Sequence, residues 1–338
     1  MPPSIGTDGP ARPGDTPVRC DRPEGSAAAP ERGAADVSLP IRSAVLRRRW
    51  GVTDRTYRLV IRAALGVFAA LGLRIDVRGA EHLPRERGAV LAANHVGFLD
   101  FLFVGLVGRQ RGRFVRFLAK QGVFTPPVVG AAMRAMGHVA VDRAHGEVSL
   151  RHAVARARAG EVVGLFPEAT ISHSWQLRPF RPGAAAVATW CQVPLIPVAV
   201  WGSQRILTVG GRFSLRRGTA VTIVVGEPLS PAPDAEPYAV SEQLRDRLQV
   251  VLAEAMDAYP DQPKDDADRW WIPASRGGTA PGSEEGLRLD EEGMRQADLA
   301  AEARIQRSRK RARLRRIRRS RVTTGGAQAP PSIRESAS

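Results

Sequence analysis

The residues best suited to chemistry lie in the stretch AVLAANHVGFLDFLF, residues 89–103. An apolar run ends there in Asn94 and His95, and Asp100 follows five residues after the histidine, inside a second apolar run. The first run is typical of a strand and the second of a helix start, so this pair lies at a strand's carboxyl end, where open α/β sheets bind ligands. Five helical residues rotate by about 500°, so only a turn before the first helical coil can bring the two side chains together. Asp100 would then hold one ring nitrogen of His95 and leave the other free to take a proton from a substrate hydroxyl; a buried histidine beside a capping aspartate is the structural alternative.

Apolar runs that alternate with helical patterns predict the elements that must position this pair. Strands are predicted at 74–78, 88–93, 114–118, 138–142, 161–166, 194–200 and 220–226. Helices are predicted near 98–108, 127–136, 147–159, 182–190 and 239–257. This alternation indicates an α/β domain with a largely buried sheet.

The two ends of the chain differ from this pattern. Residues 1–42 are rich in Pro, Gly, Ala and charge, which predicts a disordered arm before a folded domain at 43–260. Residues 261–338 are predicted to be a mostly disordered tail, in which only Trp270 and Trp271 are expected to dock. The first 40 residues contain no apolar core of a secretory signal, so export by that route is not expected.

Charge and cysteine content restrict the class of partner and site. The formal net charge is +16, which favours phosphate groups, anionic lipid or nucleic acid as partners. The two cysteines, Cys20 and Cys191, offer no disulfide framework, which predicts a reducing cytoplasm. The six histidines show no metal-ligand spacing, so no metal is expected.

The segment 43–75 is predicted to be an amphipathic helical segment that lies in a membrane interface. Its uninterrupted apolar or glycine run, 63–73, is short for a span, which needs about 20 residues. Arginines precede and interrupt the apolar stretch, as suits a helix whose basic side faces lipid headgroups. The alternative is an ordinary amphipathic helix packed on the domain.

Four further blocks follow the Asn-His-Asp stretch in a characteristic order. They are GHVAVDR (137–143), FPEATIS (166–172), RPFRPGAAAVA (178–188) and VPLIPV (193–198). Together the blocks resemble the glycerolipid acyltransferase family that acylates lysophosphatidic acid, over roughly residues 50–250. The resemblance implies a mixed, mostly buried sheet flanked by helices, similar to that of glycerol-3-phosphate acyltransferases. It also implies an enzyme at the cytoplasmic face of the cell membrane that transfers an acyl group from acyl-CoA or acyl carrier protein to 1-acylglycerol 3-phosphate, giving phosphatidic acid, without a metal or cofactor.

The resemblance also implies roles for single residues. His95 would be the general base and Asp100 its orienting partner. Arg143 would pair with a substrate phosphate, although an exposed arginine paired to Glu147 is the alternative. The other residues that match substrate-binding positions are Asn94, Phe166, Pro167, Glu168, Thr170 and Gly183.

Three positions depart from the family's common residues. Ala169 and Ile171 stand where Gly and Arg are common, and Gly97 stands where Ser is common. One expected phosphate-binding arginine is therefore missing, and we hypothesise that Arg178 or Arg181 replaces its charge. The same departures leave another lysophospholipid or a glycolipid open as the acceptor.

A competing hypothesis rests on the basic segment 304–321, where eleven of eighteen residues are Lys or Arg. Such a run binds polyanions, so an anionic-membrane or nucleic-acid binding protein is the alternative of another class. Aromatic residues for stacking on bases are absent from the segment, so no specific nucleic acid is expected. Leu314 and Ile317 lie three residues apart within the cationic run, which favours a helix that helps hold the protein on anionic lipid over a plain solvated charge run.

Overall fold

A computed structural model describes residues 43–141, 146–210 and 212–324. Its strands are β1 Arg74–Arg78, β2 Ala89–Ala93, β3 Val115–Lys120, β4 Val139–Val141, β5 Val162–Leu165, β6 Leu195–Trp201 and β7 Ala220–Val225. Its α-helices are α1 Ser43–Ala70, α2 Asp100–Gln110, α3 Pro127–Ala135, α4 Gly146–Arg158, α5 Gly183–Cys191, α6 Pro237–Asp257 and α7 Ser283–Thr324. The predicted strands and the predicted helices between 98 and 257 are confirmed, with ends that agree to within two residues.

The seven strands form one mixed sheet in the order β1-β7-β6-β2-β5-β3-β4. β6 and β7 pair antiparallel, while every other neighbouring pair is parallel. β2 lies in the middle, and all five of its residues, AVLAA, are fully buried because helices cover both faces of the sheet. The carboxyl ends of β2 and β6 meet at one edge, so residues that follow either strand become neighbours.

Helices cover the sheet on both faces, which confirms the predicted α/β class. One face packs against α4, α5 and α6 through small and aliphatic residues such as Ala153, Ala185 and Leu248. The other packs against α1 and α2 through residues such as Phe68 and Phe103, whose rings stack with centroids 5.0 Å apart.

The described part of α1 packs on the domain by one side. Tyr57 and Phe68 are buried, and the Tyr57 hydroxyl donates to the backbone oxygen of Val115 at 3.0 Å. Leu59 and Val67 are 67% and 56% exposed. Contact of this second side with a membrane interface stays a prediction. Within the described ranges, no helix has the length and apolar character needed to cross a membrane.

The prediction of a mostly disordered tail over 261–338 is wrong for the part that the structure describes. Trp271, in a 3-10 helix, is 3% exposed, and Asp261 forms an ion pair with Arg205 at 2.8 Å. α7 then contributes Asp290, which is 1% exposed. A few ion pairs and ring contacts hold this region, and such contacts leave no apolar periodicity in the sequence. The predicted arm, 1–42, and residues 325–338 lie outside the described residues.

Candidate active site

His95 and Asp100 are in contact at the carboxyl end of β2. Nδ1 of His95 lies 2.9 Å from Oδ2 of Asp100. Because a carboxylate accepts, Nδ1 carries the proton and donates it, which leaves the lone pair on Nε2. The imidazole is 19% exposed and the carboxylate is fully buried, so only the histidine can meet a substrate. The turn between β2 and α2 brings the pair together, as the spacing predicted.

Three donors besides the histidine hold the buried carboxylate of Asp100. The N–H groups of Val96 and Gly97 donate to Oδ2 at 2.8 and 2.9 Å. The hydroxyl of Ser203, which follows β6, donates to Oδ1. Asp100 is also the first residue of α2, where free N–H groups favour negative charge. These contacts satisfy the carboxylate and fix its orientation towards His95.

The loop 166–181 holds the backbone of His95 on both sides. Oε1 of Glu168 accepts from the His95 N–H at 2.9 Å, and Oε2 accepts from the Arg178 N–H at 3.1 Å. The carbonyl oxygen of His95 accepts from the Ser172 N–H at 2.9 Å. Burial raises the pKa of Glu168 to about 8, although the hydrogen bonds from the His95 and Arg178 N–H groups act to lower it. Glu168, predicted to bind substrate, is 4% exposed, and its carboxyl anchors the turn that carries His95.

The face of the imidazole is covered by Phe166. The two rings stack with centroids 4.2 Å apart and planes 19° apart. Phe117 stacks on Phe166 in turn, at 5.8 Å. Pro167 is buried, and its carbonyl accepts from the Arg181 N–H at 2.9 Å, while Thr170 is half-buried beside it.

The structure explains why glycine is common at position 169 and why Gly97 replaces serine in this chain. Ala169 has φ 59°, in the left-handed region that favours glycine, which explains why glycine suits this turn. A Cβ at Gly97 would lie 3.0 Å from Oγ of Ser203 and 3.1 Å from the carbonyl oxygen of Leu207. In this chain a serine at 97 would therefore require Ser203 and its neighbours to shift.

The predicted phosphate-binding arginines fall into different environments. Arg178 is buried, and its Nε lies 2.9 Å from Oδ2 of Asp290, so its charge is already paired. Arg181, the last residue of this loop, is exposed. Ile171 is 5% exposed within the apolar core, so that position does not face a ligand here. Arg143 lies outside the described residues.

Asn94 and Gly183 have structural surroundings. The Asn94 amide donates to the Val200 carbonyl at 3.0 Å and accepts from the Val200 N–H at 2.7 Å, which joins the end of β2 to β6. Gly183 begins α5, and a Cβ there would meet only Leu150 Cδ1, at an ordinary 3.9 Å. Packing therefore does not demand glycine at 183.

Two residues of the site were missed by sequence reasoning. Ser203 follows β6, so the rule that parallel strand ends meet at one edge could have identified it beside β2. Asp290 is 117 residues from its partner His173 in the chain, and no local signal marks it.

Within residues 43–141, 146–210 and 212–324, no three His, Cys, Asp or Glu side chains are grouped so that they could hold a metal ion.

Residues 74–201 match a protein-family model described as Acyltransferase. A chloroplastic 1-acyl-sn-glycerol-3-phosphate acyltransferase, BAT2 of Brassica napus, is 31% identical over 160 residues, which are 46% of this chain and 45% of that protein. The 1-acyl-sn-glycerol-3-phosphate acyltransferase of Bacillus subtilis is 29% identical over 197 residues, 56% of this chain and 93% of its own length. The chain thus spans about half the length of the first of these relatives.

The crystal structure of the 1-acyl-sn-glycerophosphate acyltransferase PlsC of Thermotoga maritima has a similar fold. It superimposes with a TM-score of 0.51 at 21% identity, over 65% of this chain and 88% of that chain.

Proposed function

We propose that residues 74–201, which match the Acyltransferase family model, form an acyltransferase domain, and that the protein acylates 1-acylglycerol 3-phosphate. The acyl donor is a thioester, acyl-CoA or acyl carrier protein, and the product is phosphatidic acid. The observation that carries the proposal is the partly exposed His95 imidazole held by the buried, fully hydrogen-bonded Asp100. The names of the relatives support the choice of acceptor.

In the proposed reaction, Nε2 of His95 takes the proton of the acceptor hydroxyl as its oxygen attacks the thioester carbonyl carbon. The tetrahedral intermediate collapses to the new ester and expels the thiolate, which takes that proton back from the imidazolium. Asp100 orients the ring and stabilises its charged form. An acyl-enzyme is not needed: burial raises the pKa of the Cys191 thiol, which suits a packed residue rather than a nucleophile.

The test is release of free thiol from acyl-CoA in the presence of lysophosphatidate. We expect acceptor-dependent release by the wild-type chain and its loss in His95→Ala. His152→Ala, at an exposed histidine on α4, is the matched control and should keep full activity. Equal rates for wild type and His95→Ala would refute the assignment of the base.

We propose that Arg181 binds the acceptor phosphate, because it is the exposed member of the two arginines near the loop. The side chain of Arg143 is expected to share this role. Arg181→Ala should raise the KM for lysophosphatidate and leave kcat nearly unchanged. The control is Arg151→Ala on α4, an exposed arginine that pairs with Glu147. An unchanged KM in the Arg181 variant would exclude it from the phosphate site.

Another lysophospholipid or a glycolipid as acceptor is the alternative within the enzyme class. This alternative predicts no thiol release with lysophosphatidate and thiol release with a different lyso-lipid in the same assay.

We also propose that the enzyme works on an anionic membrane surface, with its active-site edge towards the lipid. Phe98, three residues after the catalytic histidine, is 51% exposed, and its N–H donates to the carbonyl of Leu207. In the segment that follows Leu207, the side chains of Phe213 and Leu215 are 62% and 61% exposed. The basic residues exposed on this segment are Arg212, Arg216 and Arg217. Exposed aromatic and aliphatic groups among arginines suit the boundary between acyl chains and anionic headgroups.

Flotation with phosphatidylcholine vesicles, with and without phosphatidylglycerol, tests this surface. The double variant Phe213→Ser, Leu215→Ser should float less with anionic vesicles and keep its rate on a water-soluble, short-chain acceptor. Val250→Ser, at a 67% exposed valine on α6, is the control. Equal flotation of both variants would refute the surface. The cytoplasmic face of the membrane stays an expectation.

A further inference from the structure

Both backbone polar groups of His95 are bonded to one loop. Its N–H donates to Glu168 at 2.9 Å, and its carbonyl accepts from Ser172 at 2.9 Å. The direction of the imidazole therefore depends on how firmly that loop, 166–181, is held. A displacement of about 1 Å at a catalytic group can cost roughly 100-fold in rate.

Helix α7 docks on this loop along one face of its first two turns. The Ser283 hydroxyl donates to Oε1 of Gln176 at 2.7 Å. Gly286, one turn on, lies so close to the loop that an added Cβ would be 2.7 Å from Cβ of Ser174. Positions 283, 286 and 290 have the i, i+3, i+7 spacing of a single helix face.

Asp290 provides the third and most buried contact. Its Oδ1 accepts from the His173 N–H at 3.0 Å and lies 2.5 Å from Nδ1 of the same residue. Its Oδ2 lies 2.9 Å from Nε of Arg178, and both side chains are less than a tenth exposed. A buried ion pair therefore connects α7 to Arg178. The backbone of Arg178 in turn donates to Glu168, the side chain that holds the His95 N–H.

We propose that Asp290 is a positioning residue: α7, which lies beyond the family-matched residues, holds the loop 166–181 through Asp290 and so sets the orientation of His95. The effect on catalysis rests on the proposed function, because it assumes that His95 is the base in acyl transfer. The docking of α7 on the loop rests only on the contacts of α7. Since Asp290 and Arg178 neutralise each other away from water, removal of either charge leaves the other buried and uncompensated, and the loop must move to resolve it.

The experiment compares Asp290→Asn with Glu292→Gln, an exposed acidic residue on the same helix. We measure kcat, the KM for acceptor and for thioester, and hydrogen–deuterium exchange of peptides that cover His95 and residues 166–178. We expect Asp290→Asn to lower kcat by about 10- to 100-fold, to keep both KM values within about twofold, and to speed exchange of the loop. A role confined to overall stability would speed exchange throughout the domain and would not separate kcat from KM.

Gly286→Ala is the second variant, for the case in which Asp290→Asn does not fold. It leaves every charge in place and forces α7 away from Ser174, so it should lower kcat in the same direction. The proposal is overturned if the folded variants keep the kcat and loop exchange of the wild type, or if only KM changes. If the wild type transfers no acyl group to any acceptor, the proposed function fails, and the exchange measurement alone decides whether Asp290 holds the loop.

Discussion

Replacement of Ser203 by alanine tests how the site holds its buried carboxylate. Asp100 has two oxygens with different partners. Oδ2 accepts from His95 and from the N–H groups of Val96 and Gly97, whereas Oδ1 accepts from the Ser203 hydroxyl. Ser203 and Asp100 are both fully buried. Ser203→Ala therefore removes a donor from a charged oxygen that water does not reach.

The expected loss follows from the charge of the acceptor. A hydrogen bond to a charged group contributes about 1.5–3 kcal/mol, and a buried group left unsatisfied sits at the upper end of that range. We expect the free energy of unfolding to fall by about 2–3 kcal/mol. For a domain of this size that corresponds to a Tm lower by roughly 4–12 °C. The rate of acyl transfer should fall as well, because Asp100 orients His95.

Ser241→Ala is the matched control. Ser241 is 2% exposed on α6, and its hydroxyl has no hydrogen-bond partner within the described part of the chain. Its replacement should be neutral or slightly stabilising, since a buried unsatisfied hydroxyl is removed. Urea unfolding followed by circular dichroism measures both variants. The reasoning is refuted if Ser203→Ala unfolds like the wild type, or if the two serine variants lose the same free energy.

Three further variants test other parts of the fold. Burial raises the pKa of Glu168 to about 8 from 4.5, so between these pH values the folded chain keeps a proton that the unfolded chain releases. The free energy of unfolding should therefore fall as pH rises from 4.5 to 8, by on the order of 1 kcal/mol per pH unit. Glu168→Gln should flatten this slope in urea unfolding measured at several pH values. Ala169→Gly should stabilise the fold by about 0.5–1 kcal/mol in urea unfolding. Ala169 has a left-handed backbone (φ 59°), and removing the steric strain of its Cβ should outweigh the entropy gained by the unfolded chain. A loss of stability would contradict this. Arg205→Met should destabilise by about 2 kcal/mol, because it removes the buried guanidinium that pairs with Asp261 at 2.8 Å, while Arg74 still pairs with the other oxygen of that carboxylate. It should also change the fluorescence of Trp271, whose ring centroid lies 4.3 Å from that guanidinium. Unchanged fluorescence and stability would count against the contact.

The strands and most helices could be predicted because their signals are local. The run AVLAA of β2 is apolar at every position, as a strand covered on both faces must be, and the helices between strands keep their own periodicity. The tail could not be predicted in this way. α7 is strongly charged, and it docks through Ser283, Gly286 and Asp290, three residues that no hydropathy pattern distinguishes.

The sequence by itself determined the contact between His95 and Asp100, because the two residues are five apart and a single turn joins them. Only the tertiary structure decided what holds that pair. Ser203 is 103 residues from Asp100, and Asp290 is 117 from His173. Contacts at such separations depend on strand order and helix docking, which bring distant segments to one edge of the sheet and leave no trace in local spacing.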